Sequence, residues 1–195
     1  NFVHTFLFQK NDIRLNLVFG MIEYDGELMD TSIIKAIGDK VRTYYFDDDI
    51  WNEEVNNEMQ EQQFENTLQK INNRINNLIN NYDAWDPKLL RVVIGSLLGS
   101  LEKKGFSKLC LSQAGLPAKV LICHELKSGE IKVIDILSGQ ELVNEVNPLK
   151  IFSQIVTGQL SGADRILLGG HALFETVSAE EIKRALTSLA PQAAL

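Results

Sequence analysis

This 195-residue chain has little cysteine, little proline and no long apolar run. Its two cysteines, Cys110 and Cys123, lie in strand-like segments, where a free cysteine behaves as a small buried hydrophobe. A chain of this length does not depend on disulfides, so we expect two free thiols. No apolar stretch approaches the roughly 20 residues of a membrane-spanning helix, and the first residues lack a signal-peptide pattern. The sequence therefore predicts a cytoplasmic location and no membrane contact by this segment.

Basic residues are also scarce. The chain carries 19 Lys and Arg against 26 Asp and Glu, which gives a net charge of −7 and a pI near 5.0. It has no dense Lys/Arg cluster, and binding to nucleic acid or to an anionic membrane normally requires one. We therefore expect a protein partner, whose identity the sequence leaves open, and no nucleic acid. A homo-oligomer is left open as well.

Apolar residues make up 45% of the chain, which is enough for one substantial core. We interpret residues 1–190 as a single domain that contains a mobile acidic connection or loose helix at about 47–63. Residues 191–195 are typical of a frayed end or the start of a linker. The first residue is Asn rather than Met, which suggests a piece cut from a longer protein.

Hydrophobic spacing predicts the first half of the domain. Residues 2–8 and 13–19 form two apolar strands around a polar turn, as in a hairpin. Thr31 or Ser32 can cap a helix that ends near Phe46. A second, amphipathic helix is predicted further along, because apolar residues recur there at spacings of four and three in an otherwise polar segment. Its apolar stripe consists of Phe64, Leu68, Ile71, Ile75 and Leu78.

Strand periodicity dominates the second half. Short turns join four strand-like segments, so we expect one antiparallel meander. These segments span residues 90–98, 108–114, 118–123 and 130–135. We further predict a short helix at 148–156, a buried strand at 165–168, and a last helix that Ser178 caps, with Glu181 placed three residues on as in a capping box. Helices grouped around antiparallel strands indicate an α+β layered domain.

The segment 162–182, GADRILLGGHALFETVSAEEI, joins a buried strand, a turn and a capped helix. It resembles the closing motif of the metal-dependent serine/threonine protein phosphatases, the PPM or type 2C family. In that motif the strand ends in an Asp-Gly pair whose Asp binds a catalytic metal, whereas this chain has His171 and Ala172. The resemblance implies a four-layer α-β-β-α sandwich, in which two antiparallel sheets face each other and helices cover their outer sides.

The resemblance also implies a chemistry, metal-assisted hydrolysis of phosphate esters. In the family, two Mg²⁺ or Mn²⁺ ions bridged by carboxylates generate a hydroxide and neutralise the phosphate. Such hard cations need several oxygen ligands. Only Glu23 or Asp25 can stand for the family's first metal-binding Asp, while Leu116 and His171 replace two further acids. We therefore expect no bound metal, no other cofactor and no catalytic residue.

The sequence keeps the framework of the phosphatase motifs but lacks their metal-binding acids, which leads to a first hypothesis. The chain is interpreted as a catalytically inactive phosphatase-like domain, a pseudophosphatase, which acts as a protein-interaction or regulatory module of a longer protein. The alternative is a divergent metal-dependent protein phosphatase or other hydrolase, with a relocated Mg²⁺ or Mn²⁺ or with no metal, centred on His171 with Glu23 or Asp25. A third possibility is an unrelated α+β adaptor, which a structure without paired sheets would favour.

Overall fold

A computed structural model describes residues 2–10, 15–26, 31–46, 51, 56–81, 86–99, 105–115, 118–126, 128–138, 151–152 and 154–188. The strands in this part of the chain are β1 (Phe2–Gln9), β2 (Leu15–Tyr24), β3 (Leu90–Gly99), β4 (Phe106–Gly115), β5 (Lys119–Glu125), β6 (Ile131–Asp135), β7 (Val156–Ser161) and β8 (Arg165–Gly169). The α-helices are α1 (Ser32–Phe46), α2 (Asn57–Asn81), α3 (His171–Thr176) and α4 (Ala179–Ser188). None of these helices is long and apolar enough to cross a membrane.

The strands form two antiparallel sheets. The large sheet has five strands in the order β1-β2-β3-β4-β7, and the small sheet has three in the order β6-β5-β8. β1 and β2 pair in antiparallel register, as the hairpin prediction requires. The predicted α+β class is therefore confirmed.

The prediction of one continuous meander is wrong. β3 pairs with β4 in the large sheet, whereas β5 pairs with β6 in the small sheet. The chain thus changes sheets between Gly115 and Lys119. Gly115 has a φ of +76°, a conformation that glycine adopts at little cost. The sequence cannot reveal the change, because strands of either sheet carry the same alternation of apolar side chains.

Three apolar clusters hold the elements together in layers. In the first, Ile71 and other residues of α1 and α2 pack on the large sheet, which contributes Ile22 among others. In the second, Met21 of the large sheet belongs to the same cluster as Val120 of the small sheet. In the third, Ile182 of α4 packs against the small sheet. Ile22 and Met21 are neighbours on β2, so their side chains point to opposite faces, and the packing order is helix pair, large sheet, small sheet, helix.

The amphipathic helix was predicted correctly but begins earlier than its apolar stripe. All members of the predicted stripe are buried in the cluster below α2. The helix starts at Asn57, and the side chain of Asn56 caps it by accepting hydrogen bonds from the N–H groups of Glu58 and Met59, both at 2.9 Å. Residues 57–63, for which the sequence leaves a mobile connection or a loose helix open, are helical. Residues 47–50 and 52–55 lie outside the described part.

The prediction of a short helix at 148–156 is wrong for the residues of this segment that the structure describes. Residues 151, 152, 154 and 155 are not helical, and Val156 begins β7. β7 pairs with β4, and the Ser112 hydroxyl donates to the Gln154 carbonyl oxygen at 2.6 Å, so contacts with a distant strand override the local pattern. Residues 148–150 and 153 lie outside the described part.

The last helix carries the predicted capping box. The Ser178 hydroxyl and backbone N–H both donate to the Glu181 carboxylate, at 2.7 and 3.0 Å. In return the Glu181 N–H donates to the Ser178 hydroxyl at 3.3 Å. These hydrogen bonds favour the charged carboxylate and lower the pKa of Glu181. The turn predicted before this helix is instead the short helix α3.

Both cysteines are buried free thiols, as expected. Cys110 lies in the cluster between the helix pair and the large sheet, and Cys123 lies below α4. Burial raises the pKa of the Cys110 thiol from 9.0 to about 11. The folded protein therefore keeps this proton at a pH where the unfolded chain loses it.

We expect the free energy of unfolding to fall as the pH rises from about 9 to about 11. Below this window the Cys110 thiol is protonated in both the folded and the unfolded state. Within the window only the unfolded thiol ionises, which lowers the free energy of unfolding by about 2 to 3 kcal/mol. Urea unfolding of the wild type and of Cys110→Ala across this window measures the effect. The variant is expected to lose less stability than the wild type over the same window. An identical decline in both proteins would contradict the assignment to Cys110.

Candidate functional site

Glu23, Arg91 and Gly115 lie in one row across three neighbouring strands. Glu23 on β2 is the partner of Arg91 on β3, and Arg91 is in turn the partner of Gly115 on β4. The row lies at the end of the large sheet where β2 ends, β3 begins and β4 ends. Strand register alone therefore brings these three residues together.

Glu23 and Arg91 form a buried ion pair. Arg91 Nη1 donates to Glu23 Oε2, and the two side chains are only 4% and 5% exposed. On β2, Phe19 and Met21 point toward the small sheet, so the alternation of the strand directs Glu23 to the same side. A carboxylate removed from water in this way needs a cation or several donors, and Arg91 supplies a guanidinium.

Gly170 closes this end of the structure from the side of the small sheet. It follows β8, and a Cβ atom added to it would overlap the Glu23 carboxylate oxygen Oε2. The backbone of Gly170 therefore lies directly against the carboxylate, where only a glycine fits without displacing it. We call Glu23, Arg91, Gly115 and Gly170 the Glu23 rim.

The structure places the candidate residues of the alternative hydrolase, and the two positions where the family has acids, as follows. Glu23 belongs to the rim, where it forms the ion pair with Arg91. Asp25 is exposed two residues further along, and its backbone N–H donates to the Leu89 carbonyl oxygen at 3.0 Å. His171 is the first residue of α3, next to Gly170, but its side chain lies outside the described part. Leu116 also lies outside it, directly after Gly115 in the rim.

Arg91 is the rim residue that could not be assigned to the site from the sequence. The signal was present, because Arg91 is a charged residue within the continuous apolar strand 90–94. Charged side chains in such strands are buried only when they are paired. The partner could not be identified from the sequence, since Glu23 precedes Arg91 by 68 residues.

The described residues offer the rim few ligands for a metal. Among them, no group of three or more His, Cys, Asp and Glu side chains is arranged to hold an ion. The Glu23 carboxylate is already neutralised by Arg91. Two divalent ions need a cluster of anionic oxygens, and one paired carboxylate does not fit that requirement.

A second polar cluster lies at the opposite end of the small sheet. His124 Nδ1 is 2.6 Å from Asp164 Oδ1, and Asp164 also accepts hydrogen bonds from the Ser161 N–H at 2.8 Å and hydroxyl at 2.9 Å. A nucleophilic serine would donate to the histidine instead of the acid. The cluster therefore ties β5 to the turn between β7 and β8, and its geometry is not that of a catalytic triad.

Comparison of the chain with protein-family models found no match, and comparison with curated proteins found none. The similarity to the metal-dependent phosphatases thus depends on the motifs of this sequence and stays a prediction.

Proposed function

We propose that this chain is a phosphatase-like domain without catalytic activity, which serves as a protein-interaction or regulatory module. The order helix pair, large sheet, small sheet, helix supports the finer proposal of a PPM-like four-layer sandwich. The strand, turn region and capped helix of segment 162–182 support it as well, since β8, α3 and α4 follow one another there.

The Glu23–Arg91 ion pair is the observation that carries this proposal. Glu23 is the last residue but one of β2, and it is one of the two residues, with Asp25, that can stand for the metal-binding carboxylate that the resemblance implies. Here a guanidinium holds that carboxylate instead, within a site that is almost completely buried. A divalent ion would have to displace Arg91 and leave a positive charge unpaired next to itself, which is electrostatically unfavourable.

The other rim positions support the same conclusion. Leu116 and His171 stand where the family has acids, so neither adds a negative charge. Gly170 fills the space beside the carboxylate with backbone. The rim is therefore suited to holding the ends of both sheets together, while the outer helices and loops remain for contacts with a partner protein.

We expect no hydrolysis of p-nitrophenyl phosphate or of a phosphopeptide that depends on added Mn²⁺ or Mg²⁺. The physical reason is that the rim lacks the anionic oxygens that would bind two ions and generate a hydroxide. Rates are measured with and without each ion, and the melting temperature is recorded in parallel. Neither quantity is expected to change when the ion is added.

A matched pair of variants distinguishes true activity from a contaminant. Glu61 lies on α2 far from the rim and its side chain is 48% exposed, so Glu61→Ala is the control for Glu23→Ala. Ion-dependent turnover that disappears in Glu23→Ala or Asp25→Ala but survives in Glu61→Ala would refute the proposal that the domain is catalytically inactive. That result would instead favour the divergent hydrolase.

The position of His171 gives the divergent hydrolase its specific support. Because Gly170 lies against the Glu23 carboxylate, residue 171 begins α3 at the same rim. A hydrolase with a relocated metal would use Glu23 or Asp25 together with His171. Calorimetric titration with Zn²⁺ and Mn²⁺ tests this alternative, and equal heats for the wild type and His171→Ala would remove it.

A further inference from the structure

β1 is an edge of the large sheet and carries a concentration of uncovered apolar side chains. Phe2, Val3 and Leu7 are 38%, 58% and 66% exposed. Val3 and Leu7 point to the face on which the small sheet covers Phe19 of β2. The apolar cluster between the sheets contains no described residue of β1, so the small sheet ends before it reaches this strand.

β1 also lacks the features that normally protect an exposed edge. Natural sheets keep edge strands short or place charges on them. β6 has five residues and carries Lys132 and Asp135, and β8 has five residues and carries Arg165. β7 has six residues, one of which is Gly158. β1 has eight residues, FVHTFLFQ, without charge, glycine or proline. An edge of this kind is a template for another strand.

We propose that β1 pairs in antiparallel orientation with β1 of a second copy of this chain, around a two-fold axis at Thr5. Opposite residues of such a pair must point to the same face, so the axis passes midway between the same residue of the two copies. An axis at Thr5 places Val3 opposite Leu7 of the second copy, whereas an axis at Phe6 would place Val3 opposite Gln9. The first arrangement pairs the two most exposed apolar residues of the strand and joins two five-stranded sheets.

The charges near β1 fit a second copy as the occupant. Within a chain of net charge −7, β1 brings no like charges together across the pair. Lys10 directly follows the strand, and Arg42 lies 5.5 Å from the Phe8 ring at the same end. At the other end, exposed Asp25 directly follows β2, and Lys35 lies on the α1 side. Antiparallel pairing brings Lys10 and Arg42 of one copy to the end of the other copy that carries Asp25 together with Lys35, so Asp25 offsets the repulsion from Lys35 and the pair meets no excess of one charge.

Analytical ultracentrifugation of the full chain tests the proposal. We expect the mass to rise with concentration toward about twice the 21.9 kDa of one chain. Leu7→Lys is expected to weaken association at least about tenfold, because two lysines must then be placed on the apolar face. Phe106→Lys is the control, since Phe106 is 67% exposed on another strand, and its association is expected to equal that of the wild type. Circular dichroism verifies that each variant is folded.

A mixing experiment tests the register. Val3→Lys and Leu7→Glu each replace one residue of the same cross-strand pair. In a mixture, lysine of one copy faces glutamate of the other, so we expect the mixed dimer to exceed the statistical fraction by about tenfold. A wild-type chain that stays monomeric at high micromolar concentration would overturn the proposal. So would equal effects of Leu7→Lys and Phe106→Lys, or a purely statistical mixture.

Discussion

Replacing Arg91 by methionine is expected to lower the free energy of unfolding by about 3 to 5 kcal/mol. The substitution leaves the Glu23 carboxylate buried without the cation that neutralises it. The side chain of Glu23 is only 5% exposed, so water reaches it only if the ends of the sheets separate. Urea unfolding followed by circular dichroism measures the change.

A double-mutant cycle separates the ion pair from the loss of packing. Glu23→Met leaves the Arg91 guanidinium buried without its carboxylate and is expected to lower the free energy of unfolding by a similar amount. The double variant Glu23→Met/Arg91→Met removes both charges. Apolar replacement of a whole buried pair is often close to neutral. The double variant is therefore expected to be more stable than either single variant. Additive losses would show that the two side chains do not act as a pair.

The ion pair of Lys108 with Glu61, whose side chain is exposed, provides the control. Lys108 Nζ is 2.6 Å from Glu61 Oε2, but the glutamate side chain is 48% exposed. Exposed ion pairs contribute about 0 to 1 kcal/mol, because water and salt screen them. Glu61→Met is expected to fall in that range. A cost for Glu61→Met equal to that for Glu23→Met would mean that burial does not determine the effect.

The buried pair also helps to fix the register of the large sheet. Glu23 lies directly opposite Arg91, and a slip of β2 by one residue would turn Glu23 toward the apolar cluster below the helices. Burying the Glu23 carboxylate in that cluster without a cation would be energetically costly, which disfavours such a slip. Charged residues at the rim thus contribute to the choice of one fold, which is a role that requires no catalysis.

Much of the fold could be predicted because its signals are local. The apolar stripe from Phe64 to Leu78 has helical spacing, and every residue of it is buried as predicted. The Ser178 capping box needs only two side chains three residues apart. The β1–β2 hairpin follows from two apolar strands around a polar turn. In each case the interacting groups are close in sequence.

The features that could not be predicted depend on distant contacts. β7 is polar, and only its pairing with β4 identifies it as a strand. The first turns of α2 bury Gln60, Gln63 and Thr67, so their polar sequence resembles that of a loop. Gln60 is held in place by Ser96, whose hydroxyl accepts a hydrogen bond from its side chain at 3.2 Å. For the candidate site, Glu23 was anticipated but Arg91 was not, because their pairing depends on strand register.

Gly115→Ala is expected to be the most damaging single-methyl change in the described part of the chain. Gly115 has a φ of +76°, and a Cβ atom there would overlap the backbone carbonyl oxygen of Leu90. Left-handed backbone geometry costs a non-glycine residue about 1 to 2 kcal/mol. The overlap adds to this cost, because β3 cannot yield as a flexible side chain would. We expect a total loss of at least about 3 kcal/mol in the free energy of unfolding.

Gly129→Ala separates the two contributions. Gly129 has a nearly identical φ of +81°, but nothing lies within 4 Å of the added Cβ, so only the conformational cost of about 1 to 2 kcal/mol is expected. Urea unfolding of both variants measures the difference, and equal losses would contradict the role of the Leu90 contact. Gly115 ends β4 opposite Arg91, where the chain leaves the large sheet for the small one. If the contact with Leu90 sets this corner, Gly115→Ala must also displace Arg91, and the loss from breaking the Glu23 ion pair will be smaller in that background than in the wild type.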